Sequence, residues 1–590
     1  MTSGSKRIAG LLGAVTAVIA YWSLDWALGP FAAVRRYGRS PQGVDWAFQM
    51  PAGEWRWYLA AFLASLAAAI FLLGLLKSAA RTEKASRRFW LAGFALLAFC
   101  LAGGIRLLVL QGAPLTDDEM VYRFQAQTLA AGELTAPPPP DERACEYIFL
   151  GIYRGRWFGQ YSFGHPLVLA LGERAGLIGL IGPLLAALLV PLLFLLARRL
   201  FDEPTALLAA GLAAISPLLA STGATLLAQN SATVLVVLGL WLVLRAVETG
   251  RFADAFGAAL SLGAAFWCRQ QEPALLGAAP ILLLLRRIVR GPSRWPLLGG
   301  AVLGSLLTVI PYALLNHHLW GSYFWTNYQA YWWGYRHFPV VSPFGFGPAP
   351  WEIVHTPLAG LRATGQNLAR LDFFLLGLPA ATALAGYGFW RWRGEARVRA
   401  VFAGVPLTFA ALFFYFWPGL ADTGPQLYHT AGAVLLPFVA AGLAAGLRRP
   451  LHPATAVATL LLIAALTFWP AHLGGLYRAA RAGDELPRLA RDAGLRQAVV
   501  FTDFYPWAGG NERSWVLGRP LPRPDLSDDV LYLRTGGTPV DRQVAARFFP
   551  DRRLYVFKQI KGKAALLPLD DYTGEASLEQ AARERDLPLP

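Results

Sequence analysis

Three consecutive carboxylates, Asp117-Asp118-Glu119, follow closely on an apolar run, residues 89–110, that is long enough to cross a bilayer. Ionisable groups beside hydrocarbon are costly and are kept where they have a use, so this cluster marks where chemistry is to be sought. A carboxylate can act as a general base, taking the proton of an attacking hydroxyl or amine. If the leaving group is a phosphate, it departs as a stable anion. No general acid is then needed, and one carboxylate with one cation suffices. Glycoside hydrolysis differs, since it normally needs two carboxyl groups flanking the bond. The alternative use of the cluster is local. Asp is a good helix cap, and acids in a first turn favour the helix dipole, which would make 119–131 an amphipathic helix at the membrane surface. A cap, however, needs one acid, and here there are three.

A cation is available in Arg269, within Trp267-Cys268-Arg269-Gln270-Gln271-Glu272-Pro273 at the end of an apolar run over 254–270. A guanidinium binds phosphate bidentately and keeps its charge at low dielectric, which is the electrostatic help a departing phosphate requires. The alternative is an arginine snorkelling to the headgroups. Arg154, Arg156 and Arg336 are weaker candidates on the same side. Seven of the eight histidines (His165, His317, His318, His337, His355, His429 and His472) fall on that side too, with only His452 opposite. Imidazoles and carboxylates on one face could bind a divalent metal, although their spacing fits no ligand motif. Residues 316–338 are dense in aromatics. Most of these suit a membrane interface, and a minority could stack on sugar faces or pack a prenyl chain.

The elements that must hold these residues are membrane helices. The 590 residues are 55% hydrophobic and only 15% charged, with a mean hydropathy of +0.41, against about a quarter charged in a soluble domain. Apolar runs suggest spans near 8–28, 57–76, 89–110, 176–197, 204–222, 229–246, 254–270, 273–286, 296–315, 371–390, 400–418, 430–447 and 453–471, thirteen in all. The run 273–286 is short enough to suggest a tilted or broken helix. The net charge of +16 does not indicate nucleic acid, because many of the basic residues sit in short loops between spans. With the N-terminus inside, those loops are 77–88, 198–203, 247–253, 287–295, 391–399 and 448–452. The loop 29–56, with Arg35, Arg36 and Arg39, breaks the pattern. Lys6-Arg7 before an apolar run resembles a signal peptide, but the run is long and lacks a cleavage site, so a retained first span is expected. Cys100, Cys145 and Cys268 lie too far apart for a CxxC motif, and no disulfide framework or zinc site follows.

This topology predicts a polytopic α-helical membrane protein with three parts. Residues 1–88 form an N-terminal helix pair. Residues 89–471 form a transmembrane module with external loops 111–175 and 316–370, and residues 472–590 a small C-terminal α/β domain. In the last, 499–502, 530–533 and 554–557 read as buried strands, and 484–495 and 539–549 as helices, giving a sheet of at least three strands. Residues 571–590 are charged and read as a poorly ordered tail. Pro137 to Pro140 place an extended turn inside the first external loop. No internal repeat is visible.

The arrangement Asp118-Glu119-Met120-Val121-Tyr122, then Gln125-Ala126, Leu129-Ala130 and Gly132, resembles the first external loop of the GT-C glycosyltransferases. Within these it is most similar to the protein O-mannosyltransferase and lipid A aminoarabinose transferase group. Tyr161-Ser162-Phe163-Gly164-His165-Pro166-Leu167 resembles the element before the next span, and Leu196 to Phe201 a cytoplasmic helix end. Ser216-Pro217 with 221–230 resembles the next external turn. Gly345-Phe346-Gly347 and Gly424-Pro425-Gln426-Leu427-Tyr428 resemble later external elements. The likeness covers roughly 89–450; the two spans before residue 89 have no counterpart in it.

The resemblance implies transfer of a sugar from a polyprenyl-phosphate carrier to a glycan, lipid or protein acceptor, with inversion at the anomeric carbon. It implies a multi-pass protein of a bacterial cytoplasmic membrane with its site on the periplasmic face. Asp118 matches the catalytic base, with Asp117 as an alternative and Glu119 in support. Arg269, then Arg154 and Arg336, would bind the donor phosphate, while Tyr122, His165, Gln426, Tyr428 and His429 would line the substrate site. The resemblance names no certain cofactor, and a divalent metal stays open. Two rivals remain at this point: a transporter or flippase of lipid-linked sugars, which would place charges at the midplane in paired halves, and a non-catalytic envelope-assembly protein acting through 472–590.

Overall fold

A computed structural model describes residues 87–572 apart from 338–339, 341, 350–353, 422, 447–452, 503–518 and 561–562. The expected helix pair within 1–88 and the tail beyond residue 572 lie outside the described residues. Helix α1 (Arg87–Gly104) continues into a π-turn over Ile105–Val109. Helix α2 (Asp117–Ala130) carries the carboxylates in its first turn. A hairpin of β1 (Leu150–Tyr153) and β2 (Arg156–Gly159) follows, then α3 (Gly164–Arg174). The bundle proceeds through α4 (Ile178–Leu200), α5 (Glu203–Ile215), α6 (Pro217–Gly223), α7 (Gln229–Thr249), α8 (Phe252–Cys268), α9 (Gln271–Arg290) and α10 (Arg294–Trp320). After a second loop it resumes with α11 (Pro357–Leu376), α12 (Ala381–Trp392), α13 (Ala396–Phe413), α14 (His429–Gly446), α15 (Pro453–Thr467) and α16 (Trp469–Gly483).

Among the described residues six helices are long and apolar enough to cross a membrane, or up to nine if each bent pair is one span. Of the thirteen expected spans, 8–28 and 57–76 lie outside the described residues, and the remaining eleven compare with these six to nine. The differences have local causes. Ser216-Pro217 breaks the expected span 204–222 into α5 and α6, bent by 50°, because proline cannot donate to the helix before it. The expected span 371–390 is instead α11 and α12, crossing at 85°. The break falls at Gly377, which takes φ +73° and ends α11 with a left-handed cap. The run 273–286, expected to be short, belongs to a continuous helix of 20 residues. With little hydrophobic drive between helices inside a bilayer, close packing decides their association. On α14, a Cβ at Gly442 would sit 1.9 Å from the Leu384 carbonyl oxygen of α12, so these helices meet backbone to backbone.

The C-terminal part is an α/β layer. Helix α17 (Glu485–Asp492) precedes strands β3 (Ala498–Thr502) and β4 (Val530–Arg534), helix α18 (Thr538–Phe548), and strands β5 (Arg553–Ile560) and β6 (Lys563–Pro568). The spatial order is β6-β5-β3-β4, with β3 parallel to both β4 and β5 and β6 antiparallel to β5. Successive side chains of a strand face opposite sides. Ala498 and Val500 thus pack on Leu486, Leu489 and Ala490 of α17, while Val499 and Phe501 face α18. That second face also takes Val121 and Phe124 of α2 and Tyr147 and Trp157 of the first loop into the same apolar cluster. The helix with the carboxylates is thereby built into the core of the C-terminal layer.

Candidate active site

Asp118 stands one residue inside the start of α2, whose N-cap is Thr116. The helix begins two residues before the expected 119. The three acids occupy its first turn, where the helix dipole favours negative charge, but their side chains have different fates. Glu119 is buried, and its two oxygens accept from the backbone amides of Leu115 at 2.8 Å and Leu226 at 2.9 Å. Glu119 therefore ties α2 to the turn between α6 and α7. Nearby, Arg106 donates to the Ala224 carbonyl at 3.0 Å. Asp117 is buried as well. Asp118 accepts a hydrogen bond from the Tyr161 hydroxyl. Burial pushes its carboxyl above the ordinary range, while the Tyr161 bond and the positive charge of Arg269 pull it back down.

Tyr161 is aimed by its own backbone. Its carbonyl accepts from Gln125 Nε2 of α2 at 2.7 Å and from Asn327 Nδ2 at 2.9 Å. Asn327 is oriented in turn by Trp320 Nε1, 3.1 Å from its Oδ1. Three residues on, Gly164 opens α3 directly against the end of α8. A Cβ there would lie 2.5 Å from the Trp267 carbonyl carbon, so only glycine lets the Tyr161 segment reach the turn bearing Arg269.

Arg269 caps the C-terminus of α8 in an extended conformation, φ −152° and ψ 110°. Its Nε donates to Glu272 at 2.5 Å. Tyr415, after α13, feels the charges of both Arg269 and Asp118, and burial pushes its hydroxyl up to about 12. Tyr122 packs against Tyr161 at 4.5 Å and edge-on to His165 at 5.0 Å, and burial raises its hydroxyl further above its ordinary value. A carboxylate, a phenol that donates to it, a guanidinium and two neutral phenols thus gather at one end of the bundle.

The other sequence-derived candidates are placed differently. His165 has no nitrogen left for a ligand: Nε2 lies 2.8 Å from the Leu226 carbonyl and Nδ1 2.9 Å from Ser231 Oγ. A carbonyl only accepts, so Nε2 carries the proton. Burial pushes the ring down to about 4, leaving it a neutral brace rather than a substrate contact. Arg336 pairs with Glu146 at 2.8 Å, and Glu146 also receives Arg534 of β4. Arg336 therefore joins the loop roof to the C-terminal layer instead of facing Asp118. Arg154 is exposed in the β1–β2 turn with its guanidinium 5.5 Å from the Tyr153 ring. Tyr428 is buried against Phe409 at 4.5 Å, and Gln426 opens the short turn before α14. His429 bonds Thr233 Oγ1 at 3.0 Å. Among the described residues no three His, Cys, Asp or Glu side chains are grouped to hold a metal ion.

Tyr161, Glu272, Tyr415 and Asn327 were not singled out by sequence. Tyr161 and Glu272 lie within the segments that carry His165 and Arg269, and a neighbouring hydroxyl or acid was the only signal for them. Tyr415 has none beyond an aromatic run.

Residues 166–314 match the family model described as dolichyl-phosphate-mannose-protein mannosyltransferase. No curated protein sequence matches significantly. Among solved structures, the ArnT of Cupriavidus metallidurans bound to undecaprenyl phosphate superposes with a TM-score of 0.50 at 12% identity, covering 79% of this chain and 93% of that one. The oligosaccharyltransferase AglB of Archaeoglobus fulgidus gives 0.40 at 14% identity, over 80% of this chain and 69% of its own. Residues 166–314 thus carry the signature of that mannosyltransferase family, and the chain shares the membrane-helical fold of the Cupriavidus ArnT.

Proposed function

We propose that this protein moves a sugar from a polyprenyl-phosphate carrier to a glycan, lipid or protein acceptor at the periplasmic face of a bacterial inner membrane, with inversion at the anomeric carbon. The observation that carries this reading is the placement of Asp118 within the electrostatic reach of Arg269: a carboxylate held by Tyr161 and subject to the charge of a guanidinium that is itself paired with Glu272. Asp118 takes the proton of the acceptor nucleophile as it attacks C1 from the face opposite the phosphate. The C1–O bond breaks, and the electron pair leaves with the polyprenyl phosphate, whose charge Arg269 neutralises. Tyr161 donates to one carboxylate oxygen and leaves the other for the nucleophile. The undecaprenyl phosphate held by the Cupriavidus ArnT supports a carrier of this class.

The test is sugar transfer in reconstituted membranes, using a panel of polyprenyl-phosphate sugars and a cell-envelope extract. Asp118→Asn is expected to abolish release of polyprenyl phosphate while leaving expression and folding intact; full turnover in that variant removes Asp118 as base. Arg269→Ala is expected to weaken donor use by about 1.5–3 kcal/mol, the scale of a charged hydrogen bond. No turnover with any donor by folded protein would favour transport or assembly instead.

A further inference from the structure

Behind Arg269 lies a string of buried polar side chains for which the transfer reaction has no direct use. Glu272 of α9 accepts from Arg269 Nε at 2.5 Å through Oε1, and through Oε2 from the hydroxyl of Thr430. Thr430 Oγ1 lies 2.7 Å from Thr233 Oγ1, and Thr233 Oγ1 lies 3.0 Å from His429 Nδ1. Glu272, Thr430, Thr233 and His429 are each more than nine-tenths buried. They come from α9, α14 and α7, three helices that meet at this end of the bundle.

Proton counting fixes the direction of the string. A threonine hydroxyl has one proton to give. Thr430 spends its proton on the Glu272 carboxylate, so Thr233 must donate to Thr430. Thr233 then has none left, so His429 donates to it from Nδ1. The order is His429 to Thr233 to Thr430 to Glu272, with Arg269 donating from the other side. Nε2 of His429 is left as a bare, buried acceptor with no partner among the described residues.

We infer that Glu272, Thr430, Thr233 and His429 are positioning residues for Arg269, a one-directional string of hydrogen bonds that fixes the guanidinium for phosphate. The inference rests on the proposed phosphate-binding role of Arg269. Its physical basis is that an arginine on an extended connecting residue has no helix to restrain it, and bidentate recognition depends on the plane of the fork. Because Glu272 takes Nε, the two terminal nitrogens remain for phosphate oxygens. Because Thr430 and Thr233 are locked between helices, the Glu272 carboxylate cannot rotate away.

The experiment measures binding of polyprenyl monophosphate, with the neutral polyprenol as comparator, to the full-length protein in lipid nanodiscs. Glu272→Gln and Thr430→Val are each expected to weaken monophosphate binding about tenfold, equivalent to about 1.4 kcal/mol, with polyprenol binding and Tm unchanged. Thr430→Ser, which restores the hydroxyl, recovers wild-type binding. If Arg269→Ala weakens binding while Glu272→Gln and Thr430→Val do not, the string is overturned and the clamp stands. If Arg269→Ala binds the monophosphate as wild type, the clamp itself fails and the string with it. Equal loss of monophosphate and polyprenol would also overturn the inference, since that pattern marks damage to the fold.

Discussion

At the residue scale, one carboxylate, Asp118, is separated from two neighbours by what each side chain meets. Glu119 is satisfied by two backbone amides and Asp118 by a phenol. For the proposed base the consequence is a pH dependence. Burial raises the Asp118 carboxyl, so a working base requires a pH above that raised value, and activity should fall on the acid side earlier than for an ordinary aspartate. Tyr161→Phe removes a bond that favours the charged form, so the acid limb of kcat against pH is expected to move to higher pH. An unchanged limb, measured by polyprenyl phosphate release, would show that Tyr161 does not tune the base. Asp118 and Arg269 were legible in the sequence because a charge at the edge of an apolar run is expensive and stands out. Tyr161 and Tyr415 were not, because tyrosine is common at membrane interfaces for reasons unrelated to chemistry. His165 misled because burial and pairing, which neutralise it, depend on the Leu226 carbonyl and Ser231, sixty residues away or more.

At the scale of elements, the approach of α3 to α8 decides whether Tyr161 reaches its place. Gly164→Ala forces a Cβ into the Trp267–Cys268 backbone and is expected to cost about 1–3 kcal/mol, as overpacking does. It should appear as a lowered Tm in detergent together with reduced turnover. Wild-type values for both would mean that the backbone yields at no cost. Most helices were legible, because hydropathy and length are enough to find a membrane helix. The bends were harder. Hydropathy sums over a window and cannot tell a straight span from two pieces, so the break at Gly377 escaped the window even though Gly377 and Pro379 are residues that end helices. The strands 498–502 and 530–534 were legible from their β-branched and aromatic runs, whereas their contact with α2 has no local sequence signal.

At the scale of the whole molecule, the C-terminal layer is joined to the end of the bundle that carries Asp118 by specific bonds as well as by apolar packing. Tyr147 donates to the Tyr532 carbonyl at 2.6 Å, and Arg519 donates to the carbonyls of Ala144 and Glu146. Arg519→Ala removes both bonds, leaving the Ala144 carbonyl only the Arg534 amide at 2.8 Å, and is expected to loosen the first loop by about 1–3 kcal/mol. Limited proteolysis of the 131–163 loop should then accelerate, while resistance equal to wild type would show that apolar packing alone holds the layer down. Removing everything after residue 484 strips Val121 and Phe124 of the sheet side chains they pack on and is expected to abolish transfer.

The shared core also sets an order of events during synthesis. Tyr147 and Tyr532 are separated by 385 residues, and at roughly 5–20 residues per second the first loop emerges about 20–80 seconds before the sheet that will bury it. During that interval α2 has its amide contacts but lacks its apolar cover. The ribosome thus delivers a membrane bundle first and a seated Asp118 last, and a chain interrupted before β3 is expected to be inserted yet chemically silent.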